Sequence, residues 1–164
     1  MHPRLKAFLF PDLTPRFLLR VCLVTLTSFL IFYYVCLPFR IRGHSMDPTY
    51  RDGGFNFCWR PRYAFSPPKR GDVVTVRMAG QRVMLLKRVV ALEGQTVEFR
   101  GGTLVVDGRE VVEPYLVDPH PWDLPRRTVR PGYVYLVGDN RSMPLERHDF
   151  GQTPTSRILG GPLW

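Results

Sequence analysis

Between Arg20 and Arg40 runs VCLVTLTSFLIFYYVCLPF, nineteen residues without a charge. No other stretch constrains the fold so strongly. A helix rises about 1.5 Å per residue, so roughly 20 apolar residues cross the hydrocarbon core of a bilayer. Thr25, Thr27 and Ser28 can bond back to helix carbonyls and do not forbid insertion. Tyr33 and Tyr34 lie towards one end, where aromatic side chains suit the interface, and Pro38 is expected to end the helix. A cleaved export signal has a shorter apolar core and a small-residue cleavage site, and YYVCLPFRI is a poor one. A buried core helix would show a polar face, and this run has none. The sequence therefore predicts a basic cytoplasmic N-terminus over 1–20, a single transmembrane anchor over 21–39 and a separate domain over 40–164. Arg4, Lys6, Arg16 and Arg20 precede the span and favour a cytoplasmic N-terminus, with the domain on the outer face of the cell membrane. Arg40, Arg42 and Arg51 follow the span and weaken that asymmetry.

The chain has 23 Lys+Arg against 14 Asp+Glu, a formal charge of +9, which fits nucleic acid or an anionic membrane surface. The cations are scattered among apolar segments, with no basic helix or aromatic-basic module, so no nucleic-acid partner is expected. Cys22, Cys36 and Cys58 form no CxxC pair and no Cys/His cluster of zinc spacing, so neither a metal site nor a cofactor is expected. Cys22 and Cys36 read as small apolar residues of the anchor.

After residue 43 the pattern turns to period two. FNFCW (55–59), GDVVTVRM (71–78), RVMLLKRVVAL (82–92), TVEF (96–99), TLVV (103–106), REVV (109–112) and GYVYLVGDN (132–140) read as strands. Gly101-Gly102 and Asp107-Gly108 mark tight hairpins, because both turn positions want a positive φ. The segment 113–132 holds five prolines and reads as irregular. The fold class predicted is mainly β, an antiparallel barrel or sandwich behind one N-terminal transmembrane helix.

Within 82–92, alternate residues share a face. Val83, Leu85, Lys87, Val89 and Ala91 form one, and Met84, Leu86, Arg88, Val90 and Leu92 the other. Each apolar face carries one cation. In one reading Lys87 or Arg88 blunts an edge strand against aggregation. Alternatively, Lys87 is partly buried. Desolvation then disfavours its ammonium, and a neutral amine serves as a general base, a role closed to guanidinium. Such a base needs a nucleophile. GHSMDPTY (43–50) offers Ser45 on a turn, with Gly43 allowing close backbone approach and Pro48 breaking regular structure just beyond.

Three segments together resemble the type I signal peptidases, membrane-anchored serine proteases. SMDPT (45–49) is similar to the family's nucleophile motif, KRVVALEG (87–94) to its general-base motif and GDNRSMPLERHDFG (138–151) to its third conserved segment, with GDVVTV (71–76) as a further strand motif. The resemblance implies a Ser/Lys dyad that removes signal peptides from exported preproteins at the bilayer surface. It implies Ser45 as nucleophile, Lys87 as base and then acid, and the Ser45 amide as oxyanion donor. Some members add a hydroxyl two residues before the nucleophile; Gly43 stands there and offers backbone alone. In the third segment Pro144 takes the position of a serine that orients the lysine, Glu146 that of an aspartate and His148 that of an arginine. Ser142 or a backbone carbonyl is left to orient Lys87, and Asp139 can pair with Arg88. The resemblance places Phe39, Ile41, Met46, Leu85 and Leu86 near shallow pockets for small residues, typically Ala-x-Ala before the cut; each also reads as ordinary core. The substrate is expected to bind extended, adding a strand to an exposed edge.

His44 adjoins Ser45 and invites a histidine triad, as do His120 and His148 with Asp118, Asp139 or Asp149 as orienter. Neighbours on extended chain point apart, and no GxSxG elbow is present. Other readings are a protease dedicated to one secreted, conjugation or pilus substrate, and a non-catalytic membrane-anchored scaffold on the same fold.

Overall fold

The computed structural model describes residues 13–77, 84–116, 120–142, 144–148 and 151–164. Its first element is α1, Pro15–Leu30, continued by a π-helical turn over Ile31–Val35. Thr14 caps α1: the Phe17 N–H donates to Thr14 Oγ1 at 3.2 Å, and Pro15 fills the first position, where no N–H is needed. These 21 residues span about 30 Å, the thickness of a bilayer core. No residue of α1 is buried, and Leu19, Val24 and Phe29 are among the apolar side chains left in the open. From Val21 on the helix carries no charge, and an uncharged, apolar surface is what a membrane-crossing helix presents to lipid.

The helix bounds differ from the predicted 21–39. Arg16 and Arg20 lie inside the helix, while Cys36–Phe39 already belong to a strand. Pro38 lacks an N–H and biases Leu37 to extended backbone, so the helix stops earlier and the chain gains a sheet ladder instead.

Eleven strands follow among the described residues: β1 Cys36–Arg40, β2 Phe55–Trp59, β3 Val73–Arg77, β4 Met84–Ala91, β5 Thr96–Arg100, β6 Thr103–Val106, β7 Arg109–Glu110, β8 Leu124–Thr128, β9 Tyr133–Val137, β10 Gly151–Pro154 and β11 Ile158–Pro162. Their pairings are antiparallel, in a seven-stranded sheet ordered β1-β2-β11-β3-β4-β9-β10 and a four-stranded sheet ordered β7-β6-β5-β8. The mainly antiparallel β fold is thus the one the sequence predicts. Both hairpin signals hold: Gly101 and Gly102 take φ of 52° and 90°, and Asp107 and Gly108 take 51° and 76°.

Segment 113–132 is not wholly irregular, because β8 runs through it despite Pro125. The strand lies at the edge of its sheet and pairs only with β5, so a missing N–H is tolerated. The predicted strand 109–112 shortens to two residues. Met78 and residues 82–83, at the ends of two predicted strands, lie outside the described residues.

The core falls into three clusters. One joins Val90, Ala91, Tyr135 and Val137 of the large sheet to Val97, Phe99, Leu104 and Val106 of the small one, with Trp122 between rings and strands. A second, on β3, β4 and β9, holds Val74, Val76, Val89, Val134 and Leu136. The third gathers Phe39, Ile41, Met46, Cys58, Val73 and Leu86. Met46 belongs to the turn that carries Ser45, so this cluster roots that turn in the domain.

Candidate active site

Ser45 sits half-buried in the turn that follows β1. Gly43 opens the turn at φ +88°, a conformation that favours glycine. The turn closes on itself through Asp47 N–H to the His44 carbonyl at 3.2 Å and Tyr50 N–H to the Met46 carbonyl at 2.9 Å. It is then tied to the chain leaving β9. The Asn140 N–H donates to the Ser45 carbonyl at 3.1 Å, and Asn140 Nδ2 donates to the His44 carbonyl at 2.9 Å. Gly138 meets the turn so closely that a Cβ there would stand 2.2 Å from the Ser45 carbonyl oxygen.

Lys87 lies on β4 and is 5% exposed. β4 is an interior strand, flanked by β3 and β9, which rules out the edge-blunting reading. In the ladder with β9, Val89 faces Leu136 and Arg88 faces Val137. One further antiparallel step sets Lys87 beside Gly138, the residue against which the Ser45 backbone rests. The register continued in this way brings the Ser45 turn and Lys87 to the same end of β9.

All five apolar residues tied to substrate pockets line one depression with Ser45. Phe39, Ile41, Met46, Leu85 and Leu86 share it with Arg42, Gly43 and Met84. Four of them are also buried core. A larger cavity, about 570 Å³, is lined by Tyr63, Pro68, Tyr133 and Ile158 among others and shares no residue with the depression.

Arg88 and Asp139 form the expected pair. Nε and Nη2 of Arg88 donate to the two carboxylate oxygens at 2.7 and 2.6 Å, and Nη1 donates to the Gly71 carbonyl at 2.7 Å. The Asp139 side chain is fully buried, so the fork replaces its lost hydration. Thr49, the last residue of the serine motif, donates from Oγ1 to Asp139 Oδ2 at 2.6 Å. Below the guanidinium lies the Tyr115 ring, with Arg88 Cζ 3.8 Å from its centroid. The Tyr115 hydroxyl donates to Glu113, and burial, together with that carboxylate, pushes its pKa well up. Glu113 in turn grips Arg141, from Nη2 at 2.8 Å and Nη1 at 3.3 Å. Arg141 is 1% exposed and donates from Nε to the Gly138 carbonyl at 2.8 Å.

Other expected participants lie elsewhere. The Gly43 N–H donates to Asp52 Oδ1 at 2.7 Å, so this amide is already engaged and does not stand ready as a second oxyanion donor. Ser142 is exposed, and its hydroxyl donates to Asn140 Oδ1 at 2.6 Å. Glu146 is exposed on the 3-10 turn Leu145–Arg147 that Pro144 precedes. His148 packs edge-on against Trp122, with centroids 4.6 Å apart. His120 is exposed, and its N–H donates to the Arg141 carbonyl. His44 does contact an acid, with Nδ1 2.8 Å from Asp47 Oδ2, but its side chain is 72% exposed. Asp118 and Asp149 lie outside the described residues, and no group of metal-ligating side chains occurs among the described ones. Glu113 and Tyr115 were not singled out by the sequence, and Thr49 and Arg141 were given no role there beyond lying in SMDPT and GDNRSMPLERHDFG.

An antiparallel β domain behind an apolar helix, with a serine turn docked beside a buried lysine, has the make-up of a serine endopeptidase. The family model for signal peptidases, peptidase S26, matches residues 14–162. A probable signal peptidase I-1 of Synechocystis is 34% identical over 155 residues, which span 90% of this chain and 78% of the relative. Signal peptidase I of Bacillus licheniformis is 28% identical over 151 residues, 85% and 81% of the two chains. Signal peptidase IB of Staphylococcus aureus is 31% identical over 150 residues, 80% and 78%. The chain belongs to the signal peptidase family, peptidase S26.

Proposed function

We propose that this signal peptidase I cuts N-terminal signal peptides from exported preproteins after small residues, using Ser45 as nucleophile and Lys87 as base. The docking of the Ser45 turn on Gly138, beside Lys87 in the β4–β9 register, carries the reading. Buried lysines are the ones whose amine is readily held neutral, as a general base requires. Ser45 Oγ attacks the scissile carbonyl while its proton passes to Lys87 Nζ. The Ser45 N–H stabilises the oxyanion, and Lys87 then protonates the departing amine, leaving an acyl-enzyme. Water, deprotonated by Lys87, releases the acyl group and restores Ser45. The depression lined by Phe39, Ile41, Met46, Leu85 and Leu86 takes small side chains because its walls are packed core with little room to yield.

In this reading α1 crosses the cell membrane with its N-terminus in the cytoplasm, and the domain works on the outer face. Arg16 and Arg20 at the N-terminal end support that direction. An aromatic chain links the helix end to the domain: Phe32 to Phe57 at 5.9 Å, and Phe57 to Trp164 at 5.6 Å, with Trp164 62% exposed. Such rings suit the interfacial layer, which would hold the cleft at the height where a signal peptide leaves the bilayer.

The test uses the purified chain in detergent with a preprotein bearing an Ala-x-Ala site, beside Ser45→Ala and Lys87→Ala. Cleavage by the parent alone, at the site located by sequencing the product's N-terminus, is the expected result. Cleavage by Ser45→Ala removes Ser45 from the chemistry.

A further inference from the structure

The proposed chemistry leaves the buried Arg141–Glu113 ion pair unused. Arg141 and Glu113 are 1% and 4% exposed at the side chain, and they join two segments 28 residues apart. Isolated buried pairs are often no better than apolar residues for stability, so this one invites a role of its own. Arg141 spends its Nε on the Gly138 carbonyl at 2.8 Å. Its guanidinium also lies over Phe99 and Trp122, at 5.2 and 5.3 Å from the ring centroids. The fork therefore has a single orientation, set by Glu113 on one side and two rings on the other. Gly138 is where the Ser45 carbonyl rests, and the strand register sets it beside Lys87.

We propose that Glu113 is a positioning residue of the reaction, which through Arg141 fixes the Gly138 peptide and so sets the spacing of Ser45 and Lys87. The proposal rests on the Ser45/Lys87 reading of the site. In this chain Pro144 stands where the resemblance implies an orienting serine, and the Glu113–Arg141–Gly138 chain supplies fixation from the backbone side instead. Tyr115 links the same carboxylate to the Arg88–Asp139 pair, so both ion pairs brace the short segment Gly138–Arg141.

The charge of Glu113 has a separate consequence. Arg141 is bonded to the Gly138 carbonyl, at the end of the strand that pairs with Lys87's own. Removing the Glu113 charge leaves Arg141 uncompensated there, which disfavours the ammonium at Lys87 and moves the acid limb of kcat to lower pH.

The experiment measures preprotein cleavage by Glu113→Gln and Glu113→Asp, per active site counted with a serine-reactive peptide probe, across pH. Ser45→Ala and Lys87→Ala run alongside. Glu113→Gln is expected to lower kcat tenfold to a hundredfold with KM within about threefold, and to shift the acid limb down. Glu113→Asp keeps the charge, so it restores the acid limb while kcat stays low, because the shorter carboxylate cannot hold both guanidinium nitrogens. Parental kcat and acid limb in either folded variant overturn the proposal, with the dyad reading intact if Ser45→Ala and Lys87→Ala remain inactive. Cleavage by either of those overturns the dyad reading itself. Failure of both Glu113 variants to fold assigns the pair to stability and also overturns the proposal.

Discussion

Gly138→Ala tests the closest contact in the site. The added Cβ would stand 2.2 Å from the Ser45 carbonyl oxygen, 3.2 Å from the Ser45 carbonyl carbon and 3.4 Å from Cβ. Real Cβ contacts essentially never fall below 3.0 Å, so the two backbones must part by close to 1 Å. Neither side yields easily. Gly138 continues from β9 and its carbonyl is held by Arg141, while the serine turn is pinned by two bonds from Asn140. Overpacking of this kind costs about 1–3 kcal/mol of stability, a loss of several degrees in Tm for a domain of this size. The larger effect falls on the reaction, because a misplacement of about 1 Å costs on the order of a hundredfold in rate, or about 2.7 kcal/mol. Preprotein cleavage at saturating substrate, with Tm measured on the same sample, reads both terms. Expected are a Tm lower by several degrees and a kcat lower by about a hundredfold in protein that is still folded at the assay temperature. A folded Gly138→Ala variant with parental kcat would refute the claim that Ser45 acts from its seat on Gly138.

Lys87→Arg should abolish cleavage, since guanidinium cannot accept the proton; turnover like the parent's in that variant sinks the base assignment. His44→Ala should keep substantial activity, because His44 is largely exposed and bound to Asp47; complete loss in the same cleavage assay revives the histidine triad. Asp139→Asn leaves the Arg88 guanidinium buried without its counter-charge, and should cost about 3–5 kcal/mol of stability by denaturant titration. A midpoint unchanged from the parent would show that the pair contributes little.

The sequence made the strands legible wherever their pattern was plain. Alternation marked β2 and β3, and paired positive-φ residues marked the β5–β6 and β6–β7 hairpins. It hid β1, β8, β10 and β11, each of which contains proline or glycine. These residues usually punctuate structure. Pro38 and Pro125 are tolerated because β1 and β8 are edges. Gly160 is needed because a Cβ there would lie 2.3 Å from the Trp59 carbonyl oxygen. The site divides in the same way. Ser45, Lys87 and the Arg88–Asp139 pair were singled out because they fall in segments that resemble family motifs, although Arg88 and Asp139 lie 51 residues apart. Glu113 and Tyr115 were not, because they sit in a proline-rich stretch outside those segments. A single sequence carries no signal for their pairing with Arg141 and Arg88. Lys87 itself had two readings until the strand order put β4 inside the sheet.

The place of β11 sets how the large sheet is closed. It lies between β2 and β3, so the hydrogen-bond ladder passes from the β1–β2 pair to β3 and β4 through residues 158–162. Its partners lie about a hundred and about eighty residues upstream, and loop closure over such spans is slow. The middle of the sheet, not its rim, is therefore where the longest-range pairings of the chain are made.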